Sequence, residues 1–156
     1  MCIDTLLSLY TRDLNRLRDE IERYRNVNNI WVVEKNIANS AGNLCLHLIG
    51  NLNTYIGKEI GRTGYIRDRE QEFSIKNIPR SNLLKGIDDT IQVVTHSLQT
   101  MNQALLQEEY PLLVFAEKTT TEYLLIHLAT HLNYHLGQIN YHRRLIDTGI
   151  TRQYYN

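Results

Sequence analysis

The sequence predicts an all-α protein that folds as a four-helix bundle. Four segments carry apolar residues at alternating steps of three and four, a spacing that places them on one face of a helix. Only two prolines, Pro79 and Pro111, interrupt the chain, which favours long helices. The 156 residues are enough for one compact core, so we predict a single domain over residues 1–156.

The composition argues against nucleic-acid binding, membrane insertion and secretion. Seventeen basic residues balance seventeen acidic residues and are not gathered into one block, so no nucleic-acid partner is expected. The chain has no apolar run of about 18 residues, and its first residues turn charged too early for a secretory signal. Cys2 and Cys45 do not make a disulfide framework, which suits a reducing cytoplasm.

The first predicted helix covers residues 3–25. The charged residues between its apolar positions, Asp13 and Glu20 among them, are assigned to a solvated face. Residues 30–35 form a short apolar stretch that fits either a strand or a linker. The apolar stripe of this helix consists of Leu7, Tyr10, Leu14, Leu17, Ile21 and Tyr24.

The second predicted helix begins with N-cap residues at 39–40 and runs to about residue 60. Gly50, Gly57 and Gly61 lie on one flank, where they fit either close approach by another helix or a fraying helix end. The apolar stripe consists of Leu44, Leu48, Leu52 and Tyr55. A neighbouring polar stripe consists of Asn43, His47, Asn51 and Thr54.

The third predicted helix follows a long connection over residues 61–79, which is long enough for a crossover. Ser81 is expected to cap this helix, whose apolar positions run from residue 84 to residue 105. Residues 108–118 then form a connection with a possible short strand at 112–115.

The fourth predicted helix carries histidines on the face that is expected to point into the core. Residues 119–122 have capping-box spacing, and a glycine after Asp147 ends the helix before a polar tail at 148–156. Because burying unpaired polar groups is costly, the polar residues of this face need partners. The face consists of Leu124, Leu128, His131, His135, Gln138, His142 and Leu145.

A metal ion is one partner that these histidines could share. His131 and His135 are one helical turn apart, the spacing at which a helix offers two imidazoles to one ion. His47, on the polar stripe of the second helix, is the candidate third ligand. Three histidines with one open position form the ligand set of catalytic zinc sites. Cys45 lies about 200° around the helix from His47, which argues against a closed structural site.

The alternative is that the histidines are buried polar residues held by hydrogen bonds. This role, or simple exposure, is assigned to His96, whereas His142 is assigned to a polar core or interface. His127 is assigned to the core or to the groups that surround the ligands. Ligating imidazoles usually donate their other N–H to a fixed acceptor. The nearest candidates by helical spacing are Asn43, Asn51, Gln138 and Tyr134.

Three segments together resemble the DinB-like superfamily. HLNYHLGQ at residues 131–138, preceded by LLIH, is similar to the fourth-helix motif of that superfamily. SAGNLCLHLIG at 40–50 is similar to the second-helix segment that bears its third ligand. GYIRDRE at 64–70 resembles the loop of one subgroup of unknown function. Leu136 departs from the pattern, since the common motif has arginine there.

The resemblance implies an up-down-down-up bundle with a long crossover, often dimeric, that holds one divalent metal ion, commonly zinc or nickel. It carries the ligand roles to His47, His131 and His135. Relatives with known activity include bacillithiol- or mycothiol-dependent thiol transferases and a maleylpyruvate isomerase.

The leading hypothesis is therefore a metal-dependent enzyme that acts on a small molecule, as a thiol transferase or a hydrolase. The alternative is a non-catalytic dimeric bundle in which a metal stabilises the fold or links subunits. A homodimer is expected from the glycine flank and from the resemblance. A thiol that bears carboxylates would need cationic partners, for which the candidates are Arg62, Arg67, Arg69 and Arg143.

Overall fold

The computed structural model describes residues 3–34 and 36–147 and confirms the all-α fold. The predicted tail at 148–156 and Cys2 lie outside these residues. None of the described helices is both long and apolar enough to cross a membrane. The α-helices are Ile3–Glu22 (α1), Ala41–Leu52 (α2), Arg69–Ser74 (α3), Arg80–Thr100 (α4) and Thr121–Ile146 (α5). A π-helix, Asn53–Lys58, continues α2, and 3₁₀ helices lie at Val27–Trp31 and Gln103–Gln107.

Contacts between side chains fix the directions of the four long helices. α1 and α5 run parallel, because Tyr10 contacts Leu125 near their first turns and Glu20 contacts Arg143 near their last turns. α4 runs opposite to α1, since Arg80 at its start donates to backbone carbonyls at the end of α1. α2 runs alongside α4 in the same direction. The bundle is therefore up-down-down-up, and the crossover that contains α3 connects α2 to α4.

Neither of the possible short strands forms in the described part of the chain. The apolar stretch near residue 30 includes the end of a 3₁₀ helix, which Asn26 caps by accepting a hydrogen bond from the N–H of Asn28. Residues 112–115 are irregular. The one isolated bridge in this part of the fold joins Glu109 to Thr120.

The helix boundaries of α4 and α5 also differ from the prediction. Ser81 does not cap α4, because the helix begins one residue earlier, directly after Pro79. α4 ends at Thr100, since Asn102 accepts a hydrogen bond from the backbone two residues on and starts a 3₁₀ turn. Thr120, one residue later than predicted, caps α5.

Two acidic residues of α1 that were assigned to solvent are buried against α5. Asp13 accepts a hydrogen bond from Asn133, and Glu20 accepts hydrogen bonds from Asn140 and Arg143. Burial alone would raise the pKa of Glu20, but the bonds from Arg143 and Asn140 outweigh it and hold the pKa below its usual range. These polar contacts fix the register of the two parallel helices.

The glycine flank of the second helix makes the close contacts that its spacing suggested. A methyl group at Gly50 would overlap Glu72, and one at Gly61 would overlap Ser97. At Gly57 it would lie 2.7 Å from Val93. The approaching residues belong to α3 and α4, so the close contacts of these glycines are made within the chain.

His142 is a polar core residue, as predicted. Its side chain is 5% exposed, and its Nε2–H donates to the Val32 carbonyl at 2.9 Å. Nδ1 is therefore the acceptor for the Tyr24 hydroxyl at 2.7 Å. This pair of bonds joins the end of α1, the connection after it and the last turns of α5.

Replacing Tyr24 by phenylalanine should lower the free energy of unfolding by about 1–3 kcal/mol, because it leaves His142 Nδ1 buried without a donor. Tyr141→Phe on α5 is the matched control, since Tyr141 is 65% exposed and its substitution should stay within about 0.5 kcal/mol. Urea unfolding measures both. Equal stability of Tyr24→Phe and the parent protein would contradict the assigned role.

Candidate metal centre

α2 and α5 bring the three predicted histidines together. His131 Nε2 lies 3.3 Å from His47 Nε2 and 3.1 Å from His135 Nε2. The three ligand atoms all lie within 4.8 Å of one another. Within the described ranges, this is the one group of three or more histidine, cysteine or acidic side chains that is close enough to hold an ion.

The spacing of the nitrogens fits the size of a metal ion. With metal–nitrogen bonds of 2.0–2.1 Å, two ligands at tetrahedral angles have their nitrogens about 3.3 Å apart. The distances of 3.3 and 3.1 Å around His131 Nε2 are close to that value. The three histidines are thus close enough to hold a metal ion.

Hydrogen bonds made by the Nδ1 atoms set the tautomers of His47 and His135. His47 Nδ1 donates to the Glu72 carboxylate at 3.0 Å, and His135 Nδ1 donates to the Gln138 carbonyl at 2.7 Å. Each bond leaves Nε2 with its lone pair directed towards His131. His131 Nδ1 is buried and has no hydrogen-bond partner among the described residues. Lone pairs that converge from separately fixed rings are the arrangement a cation requires.

Glu72 is held by an arginine from the crossover. Arg67 Nε and Nη2 donate to its two carboxylate oxygens at 2.6 and 2.8 Å. Arg67 Nη2 also lies 3.3 Å from His47 Nδ1, but the carboxylate oxygen is nearer and is the only one of these two neighbours that can accept a hydrogen bond from that nitrogen. Burial alone would raise the pKa of Glu72, but the bonds from Arg67 and His47 outweigh it and hold the pKa below its usual range. The carboxylate therefore stays charged at neutral pH.

The crossover is fastened to α2 beside the histidines. The Asn43 side-chain amide donates to the backbone carbonyls of Glu72 and Ile75, both at 2.9 Å. Asp68 caps α3 by accepting a hydrogen bond from the Gln71 N–H. Asn43, predicted as a partner of a ligating imidazole, thus contributes indirectly by placing Glu72.

Burial favours the neutral form of His131 and His135. Burial, followed by the charges of the neighbouring histidines, lowers the pKa of His131 to about 4. Burial also lowers the pKa of His135, although the bond to Gln138 opposes this shift. Neutral imidazole is the form that binds metals, so both rings are ready to do so at physiological pH.

Aromatic rings surround the three histidines. Phe73 packs 5.2 Å from the His47 ring and Tyr134 packs 5.2 Å from the His135 ring, measured between centroids. His127 stacks on His131 at 6.1 Å and contacts Phe115 at 4.8 Å. His127 is therefore a neighbour of the group and does not belong to it.

The predicted core face of α5 is wrong at four positions after Leu128, although His142 on the same face is buried. Gln138 and Leu145 are exposed, and His131 and His135 are half-buried. A neighbouring set of apolar residues on α5, the leucine stripe, has almost the same spacing and packs into the bundle. It consists of Leu125, Leu128, Leu132, Leu136 and Ile139. The histidines thus lie at the edge of the core, and the position of the missing motif arginine, Leu136, is a core position.

Other candidate residues lie elsewhere. Cys45 is in the core, where burial raises the pKa of its thiol to about 12. Arg143 pairs with Glu20 between α1 and α5, and His96 is exposed on α4. Among the residues that sequence reasoning missed, Glu72 matters most. No spacing rule links it to a histidine 25 positions away, and the only signal was the Asp68 cap that starts its helix.

The fold and the site define an all-α bundle with a three-histidine group between two antiparallel helices. Residues 7–152 match the family described as "Protein of unknown function (DUF1572)", and the chain belongs to that family. No curated protein matches the chain.

Glu72→Gln should weaken metal binding by about 10- to 100-fold, because the ring of His47 loses its charged acceptor and Arg67 loses its counter-ion. Glu70→Gln is the matched control, since Glu70 is exposed on the same short helix. Competition with a chromogenic chelator measures zinc affinity. An equal affinity in Glu72→Gln and Glu70→Gln would contradict this role.

Acidification should destabilise the metal-free protein through His131. The unfolded side chain ionises near pH 6.5, whereas the folded one ionises at about 4. Between these values the unfolded chain binds a proton that the folded chain does not, so the free energy of unfolding falls as the pH falls. Urea unfolding in a chelator across this window should therefore give a shallower pH dependence for His131→Gln than for the parent protein. The same pH dependence of unfolding in both proteins would show that burial does not lower the pKa of His131 in the folded state.

Proposed function

We propose that this protein is a DinB-like, metal-dependent enzyme in which His47, His131 and His135 hold one divalent ion, zinc or nickel. The observation that carries the proposal is the convergence of the three Nε2 atoms at distances of 3.1 and 3.3 Å. Imidazole ligands suit zinc and nickel better than magnesium or calcium, which prefer oxygen.

The ligand set favours catalysis over a purely structural role. Three protein ligands leave at least one coordination position, and His131 and His135 are only half-buried, so a small molecule can reach the group. Structural zinc sites are usually closed by four ligands with cysteine among them. Cys45 is buried in the core and outside the group, which supports the open arrangement.

A thiol transferase is the reaction class that the site supports best, with a hydrolase as the second. When bound, a divalent ion lowers the pKa of a thiol or a water and so supplies a nucleophile at neutral pH. In a thiol transfer the thiol loses its proton, its sulfur bonds to an electrophilic carbon, and the leaving group departs with its bonding pair. Three neutral imidazoles leave the ion's charge uncompensated, and sulfur is the softer of the candidate anions.

The chain's own residues hold the site in shape for that chemistry. The bidentate pair of Arg67 and Glu72 fixes the His47 ring, and Gln138 fixes the ring of His135. Arg67 was a candidate for substrate binding, but its positive charge is paired with Glu72. Its guanidinium acts through Glu72 and positions a ligand.

His47→Ala, His131→Ala and His135→Ala should each reduce bound metal well below one ion per chain, because two imidazoles make a weak site. His96→Ala should retain the metal, since His96 is exposed on α4, and His127→Ala should be intermediate. Elemental analysis after gel filtration measures the content.

Full occupancy in all three ligand variants would overturn the assignment. Thermal unfolding of the chelated parent protein distinguishes the roles of the ion. A modest change in Tm is expected for an open catalytic site, whereas a large fall would favour the alternative, a bundle with a structural metal.

A further inference from the structure

A cavity of about 540 Å³ lies beside the three-histidine group. One wall is the connection at residues 36–39 together with Leu44 at the start of α2, and the other wall is α5 from Tyr134 to Leu145. His135 and Gln138 line it too, so the cavity shares a wall with the group. Its volume falls within the range of about 300–1,000 Å³ that small-molecule pockets occupy.

The cavity explains a sequence pattern that the bundle core does not use. His135, Gln138 and Leu145 lie on the face of α5 that the sequence predicts for the core, yet the helix packs into the bundle through the neighbouring leucine stripe and His142. The stripe that contains His135 faces the cavity instead. α5 therefore has two functional faces, one towards the core and one towards this space.

The walls of the cavity are mostly apolar where the structure describes them. Ile37, Leu44 and Leu145 contribute aliphatic surface, and Tyr134 and Tyr141 contribute rings. Among the described residues that line it, none is a lysine, arginine, aspartate or glutamate. Transfer of a carboxylate into such a space without a cationic partner is costly, whereas transfer of an alkyl or aryl group is favourable.

The arginines that the sequence suggests as partners of an anionic thiol are paired with carboxylates or lie away from this cavity. Arg67 donates through Nε and Nη2 to Glu72, and Arg143 is bound to Glu20. Arg62 lines a different cavity beyond the π-helix. Arg69 is exposed at the start of α3, and none of the four arginines borders the cavity beside His135.

We propose that this cavity is the ligand pocket of the metal centre and that it takes an uncharged alkyl or aryl group whose donor atom reaches the centre. That the ligand's donor atom binds a metal rests on the proposed function. The preference for an uncharged alkyl or aryl group rests on the cavity alone. Gln138 joins the two, because it lines the cavity and holds the His135 ring.

Two thiols of one shape test the proposal. (4-Methylphenyl)methanethiol and 4-(mercaptomethyl)benzoate differ in a methyl group against a carboxylate. Calorimetry on zinc-loaded protein should show the neutral thiol binding about tenfold more tightly or better, since about 1.4 kcal/mol of carboxylate desolvation gives that ratio. Equal or tighter binding of the benzoate would overturn the inference and leave the metal assignment intact.

Variants on the cavity wall localise the binding. Tyr141→Ala should weaken binding of the neutral thiol, whereas Tyr123→Ala should not, because Tyr123 is an exposed tyrosine of α5 outside the cavity. Leu145→Arg places a cation at a partly exposed wall position and should strengthen binding of the benzoate by up to about fivefold. The same affinities in Tyr141→Ala and Tyr123→Ala would show that the ligand binds elsewhere.

Sulfur-free analogues separate this inference from the proposed function. On chelated His131→Ala protein, 4-methylbenzyl alcohol should still bind more tightly than 4-(hydroxymethyl)benzoate, because the cavity wall is unchanged. If that preference holds while neither thiol responds to zinc, the thiol-transferase proposal fails and the neutral pocket stands. If the alcohols show no preference, the neutral pocket is wrong.

Discussion

The buried carboxylate of Glu72 is the group on which the rest of the site depends. A carboxylate that is 6% exposed would cost on the order of several kcal/mol without a partner, and Arg67 and His47 provide two. Gly50 allows its approach, since any side chain there would overlap it. One charged group therefore fastens the crossover to α2, and the orientation of the His47 ring follows from that contact.

The imidazoles of His47 and His135 are oriented by contacts that differ greatly in sequence separation. Gln138 lies three residues after His135 on the same helix, so local geometry alone brings them together. Glu72 reaches His47 only because the crossover folds back, capped by Asp68 and tied down by the amide of Asn43. The site on α5 is preformed by its own helix, whereas the ligand on α2 depends on tertiary structure.

This difference in range decides what the sequence could predict. The long helices, the His131–His135 pair and the glycine contacts follow from periods of three and four, which are properties of one helix. The contact of Glu72 with His47 could not be predicted, because it depends on how the 21-residue connection at 59–79 folds. The core face of α5 cannot be predicted from spacing for a related reason. Two adjacent stripes have nearly the same spacing, and only packing selects between them.

The position of His131 and His135 at the edge of the bundle core indicates why the chain carries them. The leucine stripe of α5 fills the bundle without them, and His131 and His135 lie at its edge, half-buried. Burial lowers the pKa of both rings, so in acid they oppose folding. His142 differs, since it joins Tyr24 to the Val32 carbonyl inside the bundle. Polar groups that a fold does not need, oriented towards one point and next to a mostly apolar cavity, are better explained by binding than by stability.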